Sequence, residues 1–61
     1  MPIVRIDMWP GRTHQQKADL AKVITDAMVE IAKTTPEATT IVFQDIPKDN
    51  WAESGILTSD T

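Results

Sequence analysis

The chain has 61 residues, nine acidic against six basic side chains for a net charge of −3, one histidine and no cysteine. Disulfides and thiolate metal sites are thereby excluded, one histidine leaves little for a structural metal cluster, and the acidic balance offers no global field for nucleic acid. No segment has the length and apolarity of a membrane span, and no basic-apolar-small leader pattern opens the chain, which points to the cytoplasm.

Residues 3–8 alternate, with Val4, Ile6 and Met8 on one side and Arg5 and Asp7 on the other, the period of a strand. Pro10 and Gly11 break it within the stretch WPGR. Thr13 and Gln16 have capping-box spacing, so a helix is expected from about Thr13 to Lys33, where Pro36 disfavours helical geometry at Thr35. Leu20, Ile24, Ala27, Met28 and Ile31 recur at steps of three and four as one apolar stripe, with Lys17, Asp19, Lys22, Asp26, Glu30 and Lys33 mostly opposite. A second strand is expected over Thr39 to Ile46, rich in β-branched and aromatic residues, and Pro47 with KDN ends it. The tail holds a turn at Gly55 and a short apolar pair, Ile56 and Leu57.

Strand, long helix and strand predict an α/β chain: a single β-α-β unit with two parallel strands, a long amphipathic helix, and a short C-terminal strand or hairpin. One domain, residues 1–61, accounts for the whole chain. Such a unit is incomplete alone, because the helix covers one face of a two-stranded sheet whose edges stay open. Size leads to the same place. Ordering a residue costs about 1.5 kcal/mol against about 25 cal/mol per Å² buried, so a small core comes out near zero without a staple. Completion by self-association is expected.

Five residue types bear on chemistry. Pro2 donates no backbone hydrogen bond and suits the start of a strand. Once Met1 is removed, however, its nitrogen is a free secondary amine, and an apolar setting would lower its pKa and leave it neutral, as a general base requires. Arg12 stands before the Thr13 cap, either solvated or as a clamp for a carboxylate through two parallel hydrogen bonds. Trp51 packs against another subunit, or forms a dry wall beside the amine with its indole N–H as a donor. Trp9 carries the same two readings. His14 reads as a surface residue, and Lys48 as a solvated side chain or an attractor of acidic substrates.

A short chain opening MPIVRID, entering its helix through GRTHQQK and continuing IVFQDIPKDNW to a late glycine, resembles the 4-oxalocrotonate tautomerase family over nearly its whole length. The resemblance implies hexamers, trimers of dimers, with active sites shared between neighbouring subunits and no metal or organic cofactor. It implies that Pro2 moves a proton between carbon and oxygen of an enol or unsaturated keto acid, that Arg12 binds a small-molecule carboxylate substrate, and that Trp51 is the active-site aromatic. It departs from the family at Thr40, where well-studied members carry a second arginine, so dicarboxylate substrates are in doubt. Arg5 is the one other arginine, on the side of its strand away from Val4 and Ile6.

The leading function is cofactor-independent keto–enol or 1,3-proton transfer on a 2-keto or 2-hydroxy unsaturated acid. Dehalogenation or hydration of unsaturated acids on the same scaffold is the runner-up. A non-catalytic oligomeric module, including a dimeric DNA-binding type, is the alternative of another class, and the acidic charge disfavours nucleic acid.

Overall fold

A computed structural model describes residues 1–61. Strand β1 (Ile3–Met8) leads through the Trp9–Thr13 loop into helix α1 (His14–Ala32), and strand β2 (Thr40–Asp45) follows. A 3-10 turn (Lys48–Asn50), two short strands β3 (Ala52–Glu53) and β4 (Ile56–Leu57), and a last 3-10 turn (Thr58–Asp60) complete the chain.

The helix starts where its cap dictates. Thr13 Oγ1 accepts from the Gln16 amide at 3.1 Å, and Gln16 Oε1 accepts from the Thr13 amide at 2.8 Å. This reciprocal box satisfies two backbone donors at the helix entry. Lys33 ends the helix in the left-handed region, at φ 60°. Pro36 then lies in a turn in which the Ala38 amide donates to Thr35 O at 3.2 Å. Strand β2 is one residue shorter at each end than the β-branched run suggests, though the Ile46 amide still donates to Met8 O at 2.7 Å.

Strands β1 and β2 pair in parallel, with Ile3 opposite Thr40, Arg5 opposite Val42 and Asp7 opposite Gln44. Residues opposite one another share a face, so Ile3, Arg5, Asp7, Thr40, Val42 and Gln44 lie away from the helix. Val4, Ile6, Met8, Ile41 and Phe43 face it, each partly covered. A 2.8 Å ion pair between Lys17 of α1 and Asp45 of β2 pins the first helical turn to the end of the sheet.

Which side of the helix meets the sheet differs from the expected stripe. Lys17, Ala21, Ile24, Thr25, Met28 and Val29 are the partly covered residues of its length, whereas Leu20, Ala27 and Ile31 stay exposed, Ile31 at 80%. Lys17 thus belongs to the packed side through its pair with Asp45. Apolar residues cover more of the helix than one stripe: a second row, Leu20, Val23, Ala27 and Ile31, flanks the packed one and points outward. No residue of the single chain is buried.

The tail folds as a hairpin. Strands β3 and β4 pair antiparallel with Ala52 opposite Leu57 and Glu53 opposite Ile56, and Ser54 and Gly55 make the turn at φ 53° and 77°. Ile56 and Leu57 therefore pair within their own chain, and remain exposed.

Candidate active site

Residues with chemical potential fall into two groups at opposite ends of the parallel sheet. At the first end, the Pro2 carbonyl accepts from the Thr40 amide at 3.1 Å, one step before the Ile3–Thr40 pair. Pro2 and Thr40 are thereby neighbours. Six residues of strand follow Pro2, and at about 3.3 Å per residue they carry the chain about 20 Å to the other end. Arg12 lies beyond that end, exposed, with no hydrogen bond or ion pair to its side chain. Gly11 precedes it at φ 123°, a backbone setting open to glycine.

Trp51 belongs with Arg12, not with Pro2. Its ring meets Trp9 edge to face, with centroids 5.9 Å apart and planes at 76°, a favoured aromatic geometry. Lys48 Nζ lies 4.8 Å from the centroid of the Trp9 ring, within cation–π range. The Trp51 indole N–H donates to Glu53 Oε1 at 3.2 Å. The donor that the sequence offers to a substrate is thus already engaged, because the β3 strand brings a carboxylate two residues on alongside the ring. Trp9 is as much part of this wall as Trp51. His14 is exposed at the first helical position.

One shallow depression marks the surface, about 360 Å³ and bordered by Trp9, Glu53, Ser54, Ile56, Thr58 and Thr61. Pro2, Arg12 and Thr40 do not line it. A single chain therefore carries a proline end and an arginine–tryptophan end, and no cavity joins them. Lys48 and Glu53 enter the aromatic group only through the fold. The Lys48–Trp9 approach joins residues far apart in sequence, and no spacing rule foretells it.

A family model described as "Tautomerase enzyme" matches residues 2–60. "Probable tautomerase RSp1151" of Ralstonia nicotianae is 37% identical over 57 residues, covering 93% of this chain and 88% of the relative. The crystal structure of YwhB, a homologue of 4-oxalocrotonate tautomerase, superposes with a TM-score of 0.94 at 32% identity, covering 98% of each chain. A heterohexameric 4-oxalocrotonate tautomerase from Chloroflexus aurantiacus superposes at 0.89 with 28% identity, over 98% of this chain and 97% of that one. Sequence and architecture agree, and the chain belongs to the tautomerase enzymes, isomerases of the 4-oxalocrotonate tautomerase family.

Proposed function

We infer that the protein catalyses keto–enol or 1,3-proton transfer on a small 2-keto or 2-hydroxy unsaturated carboxylic acid, without a cofactor, using Pro2 as base and then acid. The supporting observation is the division of the chain into two half-sites, with Pro2 at one end of the sheet and unpaired Arg12 beyond the other. A complete site then takes Pro2 from one subunit and Arg12 with Trp51 from a neighbour. The assembly proposed is a hexamer, a trimer of dimers. The open sheet face, the outward helical row and the absence of any buried residue support it, as does the heterohexameric state of the Chloroflexus aurantiacus relative.

The chemistry requires Met1 to be removed, so that Pro2 presents a secondary amine. Burial between subunits and the positive charge of Arg12 would both disfavour the protonated amine and favour the neutral base. Neutral Pro2 nitrogen takes the proton of the enol hydroxyl. The O–H electrons form the carbonyl, the double bond shifts, and its far carbon takes the same proton back from the prolinium. No net proton is gained or lost. Arg12 holds the substrate carboxylate through paired charge-assisted hydrogen bonds. Trp51 and Trp9 exclude water, and the Thr40 hydroxyl offers a neutral hydrogen bond where a charged one is commoner.

Two variants assayed by ketonisation of phenylenolpyruvate test this. Pro2→Ala should lower kcat by about 10²- to 10⁴-fold, the usual contribution of a positioned acid–base group. Arg12→Ala should mainly raise KM, by roughly 10- to 100-fold for the loss of charged hydrogen bonds worth about 1.5–3 kcal/mol. Activity should fall as pH drops through the amine's pKa, since the protonated form accepts nothing, and should hold above it. Unchanged rates in both variants, or an intact mass retaining Met1 in active protein, overturn the assignment.

A further inference from the structure

Arg12 and Trp51 reach the same end of the sheet on separate segments. Arg12 stands in the loop before α1, one residue ahead of the Thr13 cap, and Trp51 follows the 3-10 turn beyond β2. A pair of side chains close to each in sequence joins the two segments. Lys17 completes the first turn of the helix, where its amide donates to Thr13 O at 3.1 Å. Its ammonium group donates to Asp45 Oδ2 at 2.8 Å, across 28 residues of chain. Asp45 is the last residue of β2, opposite Met8, the last of β1, and the Ile46 amide donates to Met8 O at 2.7 Å immediately after it. The helix start that carries Arg12 is thereby tied to the strand end from which the Trp51 turn departs. Lys17 and Asp45 keep only 28% and 40% of their side chains exposed, so solvent screens this pair less than an open one. Lys22–Asp26, the other ion pair, lies exposed within the helix and ties no two segments.

We propose that Lys17 and Asp45 are positioning residues of the active site, whose ion pair sets where Arg12 stands relative to the Trp51 wall and so how firmly the enzyme holds a substrate carboxylate. On one side Arg12 adjoins Gly11, at φ 123° with nothing within 4 Å of a Cβ built there, so the loop itself restrains the arginine little. On the other side the capping box locks Thr13 to Gln16, which makes the seat of Arg12 that of the helix start. Apolar packing of the helix on the sheet is non-directional and permits sliding, whereas a charge-assisted hydrogen bond fixes a length. Lys17–Asp45 is the one polar side-chain contact that crosses from α1 to the sheet. Lys17 is not itself a clamp, because Asp45 already compensates its charge.

The assignment rests on the reading of Arg12 as the carboxylate clamp, and steady-state ketonisation of phenylenolpyruvate by the assembled protein tests it. Lys17→Met, which keeps the aliphatic stem, and Asp45→Asn should each raise KM about threefold, the scale of a partly exposed ion pair, and leave kcat within about twofold. The double variant should raise KM no further than either single one, as coupled partners require. Lys17→Arg should keep the native value. Added to Arg12→Ala, Lys17→Met should change nothing more, because the residue through which the pair acts is gone. An unmoved KM in Lys17→Met, additive losses in the double variant, or a further rise on top of Arg12→Ala overturns the proposal. So does a kcat that falls with smaller species in sedimentation velocity, which would make the pair a support of the assembly alone. Failure of the clamp reading has a different signature. Arg12→Ala then leaves KM unmoved and the positioning role falls with it, whereas a raised KM in Arg12→Ala beside an unmoved one in Lys17→Met sinks the positioning role alone.

Discussion

Ser54 and Gly55 both take positive φ, 53° and 77°, as a two-residue type I′ hairpin turn demands. Nothing lies within 4 Å of a Cβ built on Gly55, so a substitution there meets backbone strain alone. Gly55→Ala should cost about 1–2 kcal/mol per chain, and Ser54→Asn, the residue such turns prefer, should recover a few tenths. Urea midpoints measured at one protein concentration check both signs. The hairpin matters to the site because Glu53, its last residue before the turn, holds the Trp51 indole. At this scale the sequence is eloquent about single residues and mute about partners. Pro2, Arg12 and Trp51 stand out by type and position, whereas the engagement of Trp51 by Glu53 and of Trp9 by Lys48 depends on which segments the fold lays together.

Helix α1 shows the same contrast. Its bounds were legible because local rules fix them: the Thr13–Gln16 box closes one end, and Lys33 with the following Pro36 closes the other. The face it packs was not legible. Apolar residues occupy two adjacent rows, and periodicity cannot tell the row meeting the chain's own sheet from the row left over. Lys17, a charged residue on the packed side, is there because Asp45 meets it at 2.8 Å. The outward row yields a direct prediction. Val23 is 65% exposed in the single chain, and an exposed valine tolerates substitution within about 0.5 kcal/mol. If the row is covered by a neighbouring subunit, Val23→Glu buries an unpaired charge and should cost several kcal/mol. Sedimentation velocity should then show smaller species for Val23→Glu than for the native protein, and an unchanged profile with unchanged thermal stability would clear the row of any interface.

The whole chain is extended for its size. Its Cα radius of gyration is 14.6 Å, with extents of 42 × 24 × 14 Å, where a compact chain of 61 residues has about 10.5 Å. It exposes 4675 Å², against about 3,950 Å² for a compact monomer of its 6.8 kDa mass. Composition alone points to a need for partners, and the shape of the chain gives it a magnitude. The shape also has a consequence for genetics. With Pro2 and Arg12 at opposite ends of one sheet, the proposed composite site predicts that Pro2→Ala and Arg12→Ala proteins are defective in different halves of it. Unfolded together at equal amounts and refolded, they should regain about a quarter of native activity, since random assembly joins one intact proline half to one intact arginine half at a quarter of the sites. Refolded alone and assayed well below KM, Arg12→Ala should show no more than about a tenth of native activity and Pro2→Ala about a hundredth or less. Recovery of this kind is intragenic complementation, and it would make two loss-of-function alleles of this gene mutually corrective in one cell.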